Sequence, residues 1–177
     1  MHIKLSTGRL RQTCSAGAWA LALAIAAGSA WAETPAPATP APALSLKDAS
    51  GANVDLAQFK GQVVYLDFWA SWCGPCRQSF PWMNDMQAKY GAKGLQVLGV
   101  NVDSQSPEAQ AFLKDVPAHF RVVFDPQGKT PAAFGVKGMP TSYLIDRQGR
   151  VVMSHMGFNR AGASEVEHAI QQQLEAK

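Results

Sequence analysis

Two cysteines spaced three apart, Cys73-Gly74-Pro75-Cys76, are the residues of this 177-residue chain best suited to chemistry. They follow Val63-Val64-Tyr65-Leu66-Asp67-Phe68-Trp69-Ala70, an apolar, β-branched and aromatic run that reads as a buried strand, and they precede a helical pattern. Thiols at such a strand-to-helix turn lie close enough to form a disulfide across one helical turn. The partial positive charge of a helix N-terminus also stabilises a thiolate. Cys73, at the exposed helix start, is the candidate nucleophile of thiol–disulfide exchange, and Cys76, one turn in and more buried, the resolving thiol. Gly74 and Pro75 shape the turn, since a proline without an N–H fits the first turn of a helix. Trp72 is expected in an exposed apolar platform beside Cys73 that docks an unfolded or extended partner, whereas Trp69 is expected in the core. Asp67 is a charged residue inside the apolar strand, six before Cys73. Burial there raises a carboxyl pKa toward neutrality and suits a general base, while an acid reaching the sheet edge would stay solvated.

The same thiols have other uses. Half of a tetrahedral zinc site needs two more ligands at ligand-like spacing, and His119, His155 and His168 are well spread. A Cu(I)-binding or metal-delivery module would take two thiolates plus Met139 as soft ligands. Redox exchange is the reading that needs nothing further from the chain, and it calls for no cofactor.

Strands and helices alternate around this centre. Short strands at Leu44–Leu46 and Ala52–Val54 flank a turn, and Leu56–Phe59 reads as a helical turn. Gly74–Tyr90 is a helix with Phe80, Met83, Met86 and Tyr90 on one face and Gly91 as its stop. Leu95–Asp103 is a strand apolar enough to be buried on both faces. Ser106-Pro107-Glu108 opens a helix to about Val116. Val122–Asp125 is a strand, Pro131–Phe134 a short helix, and Thr141–Ile145 with Val151–Met156 a hairpin across Asp146-Arg147-Gln148-Gly149. Gly162–Glu175 closes the chain as a helix. The pattern predicts an α/β fold with a mixed sheet flanked by helices.

Ahead of this domain, Lys4, Arg9 and Arg11 precede the uncharged stretch Cys14–Ala32, which ends on Ala30-Trp31-Ala32. Basic, apolar and small-residue regions in that order predict a signal peptide over residues 1–32, with an uncleaved membrane anchor as the rival. Cys14 would leave with the leader, so Cys73 and Cys76 remain with no structural disulfide beside them. The chain has 16 Lys+Arg and 13 Asp+Glu; the leader holds three of the bases and no acid, leaving the two signs balanced at 13 each. The basicity is therefore a targeting feature and points to no nucleic-acid partner. Residues 33–43 (ETPAPATPAPA) read as an extended Pro/Ala-rich linker unable to build a helix or a ladder, with order beginning near Leu44 and one domain over residues 44–177.

From about Leu44 onward the chain resembles the exported TlpA/ResA-type branch of the thioredoxin-like superfamily. The resemblance rests on Asp67-Phe68-Trp69-Ala70-x-Trp72-Cys73-Gly74-Pro75-Cys76 with Pro81, on Phe124-Asp125-Pro126-x-Gly128, and on Gly135-Val136-x-Gly138-Met139-Pro140-Thr141 leading into Leu144-Ile145-Asp146-Arg147-x-Gly149. It implies extra N-terminal strands, a central insertion between Asp103 and Asp125, and a helix kinked at Pro81. It also implies a cis Met139-Pro140 bond against the cysteine pair, with the Met139 backbone free to pair with an extended substrate, and Asp67 as a buried acid beneath the resolving cysteine. The Gly-Pro dipeptide is that of thioredoxin, whose potential is about −270 mV, which implies a reducing bias. Two positions depart from the pattern. Gly99 stands where thioredoxin has a lysine partner for the buried acid, and Ser79 stands where TlpA/ResA-type proteins place a glutamate. The resemblance further implies a periplasmic protein-disulfide reductase acting on exported disulfide-containing proteins, apocytochromes or copper-site proteins among them, and recharged by a membrane thiol carrier.

Overall fold

The computed structural model describes residues 38–176; the leader expected over residues 1–32 and the first part of the linker lie outside the described residues. Eight strands form one sheet in the order β1-β8-β7-β4-β5-β6-β2-β3. They are β1 (Thr39–Pro40), β2 (Ser45–Asp48), β3 (Asn53–Asp55), β4 (Val63–Trp69), β5 (Leu95–Asn101), β6 (Arg121–Phe124), β7 (Thr141–Ile145) and β8 (Arg150–Met156). Four α-helices accompany them: α1 (Gly74–Tyr90), α2 (Ser106–Asp115), α3 (Lys129–Phe134) and α4 (Arg160–Glu175). Strands β4, β5 and β6 run parallel, as strand–helix–strand crossovers require, while β7 joins antiparallel to β4 and β8 antiparallel to β7. The mixed α/β sheet flanked by helices is the architecture the sequence pattern predicts.

Every residue of β4 is buried, because apolar side chains cover both sheet faces. One layer takes Val63, Tyr65 and Trp69 of β4 with Phe80, Met83, Met86 and Tyr90 of α1 and Val166 and Ile170 of α4. The other takes Val64, Leu66 and Phe68 with Leu98, Val100, Phe134 and Ile145. Beneath the start of α1, Trp69 packs 4.9 Å from Phe80 and 4.7 Å from Phe112, centroid to centroid. Each such ring contributes on the order of 1.5–3 kcal/mol on burial, so this cluster holds the end of β4 against the helix that follows it. Pro81 lies inside α1 without ending it, although its missing N–H deprives the Arg77 carbonyl of a helical partner.

One expectation is corrected here. The Pro/Ala-rich linker does enter the ladder: Thr39 pairs with Val151, Pro40 with Arg150, and the Ala41 N–H donates to the Gly149 carbonyl at 2.9 Å. An outermost strand needs hydrogen bonds on one side only, so a proline there leaves no donor missing. Order therefore begins before Leu44.

Candidate active site

Strand β4 ends at Trp69, and the chain turns through Ala70–Cys73 into α1, with the Cys73 N–H donating to the Ala70 carbonyl at 3.1 Å. Cys73 is the N-cap of α1, and its Sγ accepts the Cys76 backbone N–H at 3.2 Å. The two cysteines form a disulfide with Cα atoms 5.3 Å apart. The Cys73 sulfur is thus aimed at a helix N-terminal amide, a position where negative charge is favoured.

The surroundings revise one detail. Cys73 was expected at an exposed helix start, yet only 4% of it is accessible and Cys76 is fully buried. Its sulfur is turned inward, toward the Cys76 amide and the aromatic layer under α1. The exposed parts of the motif are Trp72, Gly74 and Pro75, with Trp72 at 70% accessibility. Arg77, in the first turn of α1, is held by α2. Its guanidinium lies 4.8 Å from the Phe112 ring centroid and 3.7 Å from Asp115, so α2 engages it.

Asp67 is buried, and its Oδ2 has no hydrogen-bond partner among the described residues. Alternation along β4 puts it on the face of Tyr65 and Trp69, the layer that also contains both cysteines. Burial without compensation raises its pKa well above the ordinary carboxylate value. The same burial, aided by the Asp67 charge and opposed by a hydrogen bond with Ser142, raises the pKa of the Tyr65 phenol. The absence of thioredoxin's lysine has a packing cause. Gly99 is the β5 partner of Asp67, and a Cβ there would meet Phe120 Cε2 at 3.0 Å and Trp69 Nε1 at 3.2 Å. At Ser79, the other departure, the hydroxyl is buried and donates to the Cys76 carbonyl at 3.1 Å.

At the same end of the sheet, the Met139-Pro140 peptide bond is cis and leads directly into β7. Met139 is half-buried and Pro140 buried, and Met139 packs against both apolar layers. The Pro140 carbonyl accepts the Gly157 N–H at 2.8 Å, which ties this loop to the end of β8.

Sequence reasoning missed Asp103. This buried carboxylate accepts the Ser71 N–H at 3.0 Å, the Ser71 hydroxyl at 3.0 Å and the Asn101 side-chain amide at 2.8 Å. It pins the turn carrying Trp72 and Cys73 to the end of β5. A second acid at the close of the apolar run Leu95–Asp103 was the available signal. Among the described residues, no group of three or more His, Cys, Asp or Glu side chains is placed to hold a metal ion. No helix among them is long and apolar enough to cross a membrane.

Comparison with known proteins agrees with this geometry. The protein-family model described as Redoxin matches residues 36–170. The thiol-disulfide oxidoreductase ResA of Bacillus thuringiensis subsp. konkukian (strain 97-27) is 36% identical over 110 residues, 62% of this chain and 64% of that protein. The match thus spans a little under two thirds of that relative's length. Among solved structures, a Chlorobium tepidum protein described as a thiol:disulfide interchange protein, DsbE, is 56% identical with a TM-score of 0.75, over 77% of this chain and 96% of that one. The exposed lipoprotein thioredoxin Etrx1 of Streptococcus pneumoniae strain TIGR4 is 28% identical with a TM-score of 0.66, over 74% and 99%. The chain belongs to the Redoxin family, as a thioredoxin-like protein of the TlpA/ResA type.

Proposed function

We propose that this protein is an exported, periplasmic thiol–disulfide oxidoreductase that reduces disulfides in other extracytoplasmic proteins. The observation that carries the reading is the Cys73–Cys76 disulfide at the N-cap of α1, with Cys73 Sγ accepting a helix amide in the layer that holds the buried Asp67. Its similarity to proteins named thiol-disulfide oxidoreductase and thiol:disulfide interchange protein supports the same chemistry.

In the reduced enzyme the Cys73 thiolate attacks one sulfur of a substrate disulfide. A Cys73–substrate disulfide forms, the substrate S–S bond breaks, and the leaving thiolate takes a proton. Asp67 accepts the Cys76 proton, and the Cys76 thiolate attacks Cys73 Sγ. The Cys73–Cys76 disulfide forms and the second substrate thiol leaves. The second substrate sulfur takes the proton held by Asp67, so the substrate has gained two electrons, one proton from Cys76 and one from solvent. Trp72, Gly74 and Pro75, with Met139 at the cis-proline loop, receive the substrate segment, and the Met139 backbone offers it extended pairing. A membrane thiol carrier restores the dithiol. Exported disulfide-containing proteins, including apocytochromes and copper-site proteins, are the substrates this reading assigns, and residues 1–32 are its export signal.

The test is trapping. Cys76→Ser leaves the nucleophile without its resolving thiol, so it accumulates mixed disulfides with its partners, whereas Cys73→Ser accumulates none. Equal trapping by both variants refutes the assignment. Intact-mass measurement of the exported protein checks for a chain starting at Glu33.

A further inference from the structure

Among the described residues, Trp72 and Met156 are the large apolar side chains left most open, at 70% and 67% accessibility, and both lie at the end of the sheet that leads into the disulfide. Trp72 directly precedes Cys73. Met156 pairs with Thr141, the first residue after the cis-proline, and its Sδ lies 3.6 Å from where a Cβ on Gly138 would be. Two exposed apolar groups thus stand at the end of the sheet where β4 leads into the disulfide, one before the cysteines and one against the Gly138-Met139-Pro140 loop.

The chain segments that carry them are poor in acid. No acidic residue occurs from Phe68 to Asn84, and from Pro126 to Ser164 Asp146 alone is acidic. Asp146 is buried, bridges Arg150 at 2.7 Å, and lies just past the far end of β7 from Pro140. Of the acids that other elements bring to this end of the sheet, Asp103 is buried in its Ser71 and Asn101 hydrogen bonds and Asp115 faces Arg77, while Glu108, in the first turn of α2, is exposed and forms no ion pair among the described residues. Lys137, next to Gly138, and Arg160, four residues after Met156, are both exposed and form no ion pair among the described residues. Gly157, held to the Pro140 carbonyl, keeps the start of the Met156–Arg160 segment beside the same loop.

We propose that this lip is a docking surface for an extended, acidic, cysteine-bearing segment of the substrate protein. An apolar substrate side chain packs against Trp72 and Met156, and carboxylates flanking the substrate cysteine meet Lys137 and Arg160. The inference rests on the exchange reading above and names the substrate class of that site. Solvent-facing charge pairs at a rim act mainly through encounter rate, and salt screens them.

The experiment follows single-turnover oxidation of the pre-reduced full chain by tryptophan fluorescence. Three synthetic peptides, each with one internal disulfide, differ only in having Glu, Gln or Lys beside the cysteines. Hydroxyethyl disulfide, small and uncharged, reports the exchange chemistry alone. At about 10 mM salt the rate constants are expected to fall in the order Glu, Gln, Lys, with about tenfold between the extremes and convergence at about 1 M salt. The double variant Lys137→Glu/Arg160→Glu reverses the order, and Met156→Ser slows all three peptides. Equal rates for the peptides, an order indifferent to salt, or an order unchanged in the double variant overturns the docking proposal while exchange stands. Failure of the wild-type dithiol to reduce hydroxyethyl disulfide overturns the exchange reading itself.

Discussion

Replacing Asp67 by asparagine removes one titration and keeps the shape of the site. The Oδ2 position has no partner among the described residues, so a protonated acid and an amide both leave a polar atom unpaired there, at about 1–3 kcal/mol each. That cost largely cancels between the two proteins, leaving the pH dependence. The free-chain pKa of an aspartate is about 3.9, and burial raises the folded value well above that. Below the unfolded pKa both states hold the proton and the acid costs nothing extra. Between the two pKa values the unfolded state has released a proton that the folded state keeps, so wild-type stability falls by about 1.4 kcal/mol per pH unit. Above the folded pKa both states are ionised and the penalty is constant. Asparagine has no such slope. The stability of Asp67→Asn minus that of wild type should therefore grow by about 1.4 kcal/mol for each pH unit over which the buried acid stays protonated. Urea unfolding of the oxidised proteins at half-unit steps from pH 3 to 8 measures it, with the disulfide keeping the thiols from titrating. Asp146 and Glu167, whose pKa values hydrogen bonds and ion pairing lower, contribute equally to both proteins and drop out of the difference. In the same variant, release of the mixed disulfide should slow because Cys76 loses its base. A stability difference flat with pH refutes the account of Asp67 as a desolvated acid.

The remaining expectations concern the frame around the thiols. Gly99→Lys, which restores thioredoxin's residue type, should destabilise by roughly 1–3 kcal/mol in a denaturant titration, since its Cβ meets the Trp69 and Phe120 rings. A stable, more active variant would show that the packing argument is wrong. Asp103→Ala strips acceptors from Ser71 and Asn101 and should cost about 1–3 kcal/mol, with slower alkylation of Cys73 in the reduced protein as its turn loosens; unchanged values of both would reduce Asp103 to a bystander. A glutathione titration should place the Cys73–Cys76 couple nearer about −270 mV than about −120 mV, because Arg77 is drawn toward Phe112 and Asp115, leaving the α1 terminus as the main stabiliser of the thiolate. A value above about −170 mV would make the protein a disulfide donor.

Local pattern was enough for the elements and for the chemistry. The apolar run through Trp69, the break at Gly74-Pro75 and the helical spacing of Phe80, Met83, Met86 and Tyr90 place two thiols at a helix start, because periodicity and turn stereochemistry act between near neighbours. What could not be read there depends on residues far apart in the chain. Gly99 lacks a side chain because Trp69 and Phe120 occupy its space; Asp103 binds Ser71 across 32 positions; Thr39 and Pro40 find their partners in β8. Cys73 looked exposed from its place at a turn, yet the fold turns its sulfur inward and leaves Trp72 and Met156 to face solvent. Sequence order says which groups are available near the disulfide. Burial, partner and charge are sums over everything packed around each group, and only the folded chain brings those terms together.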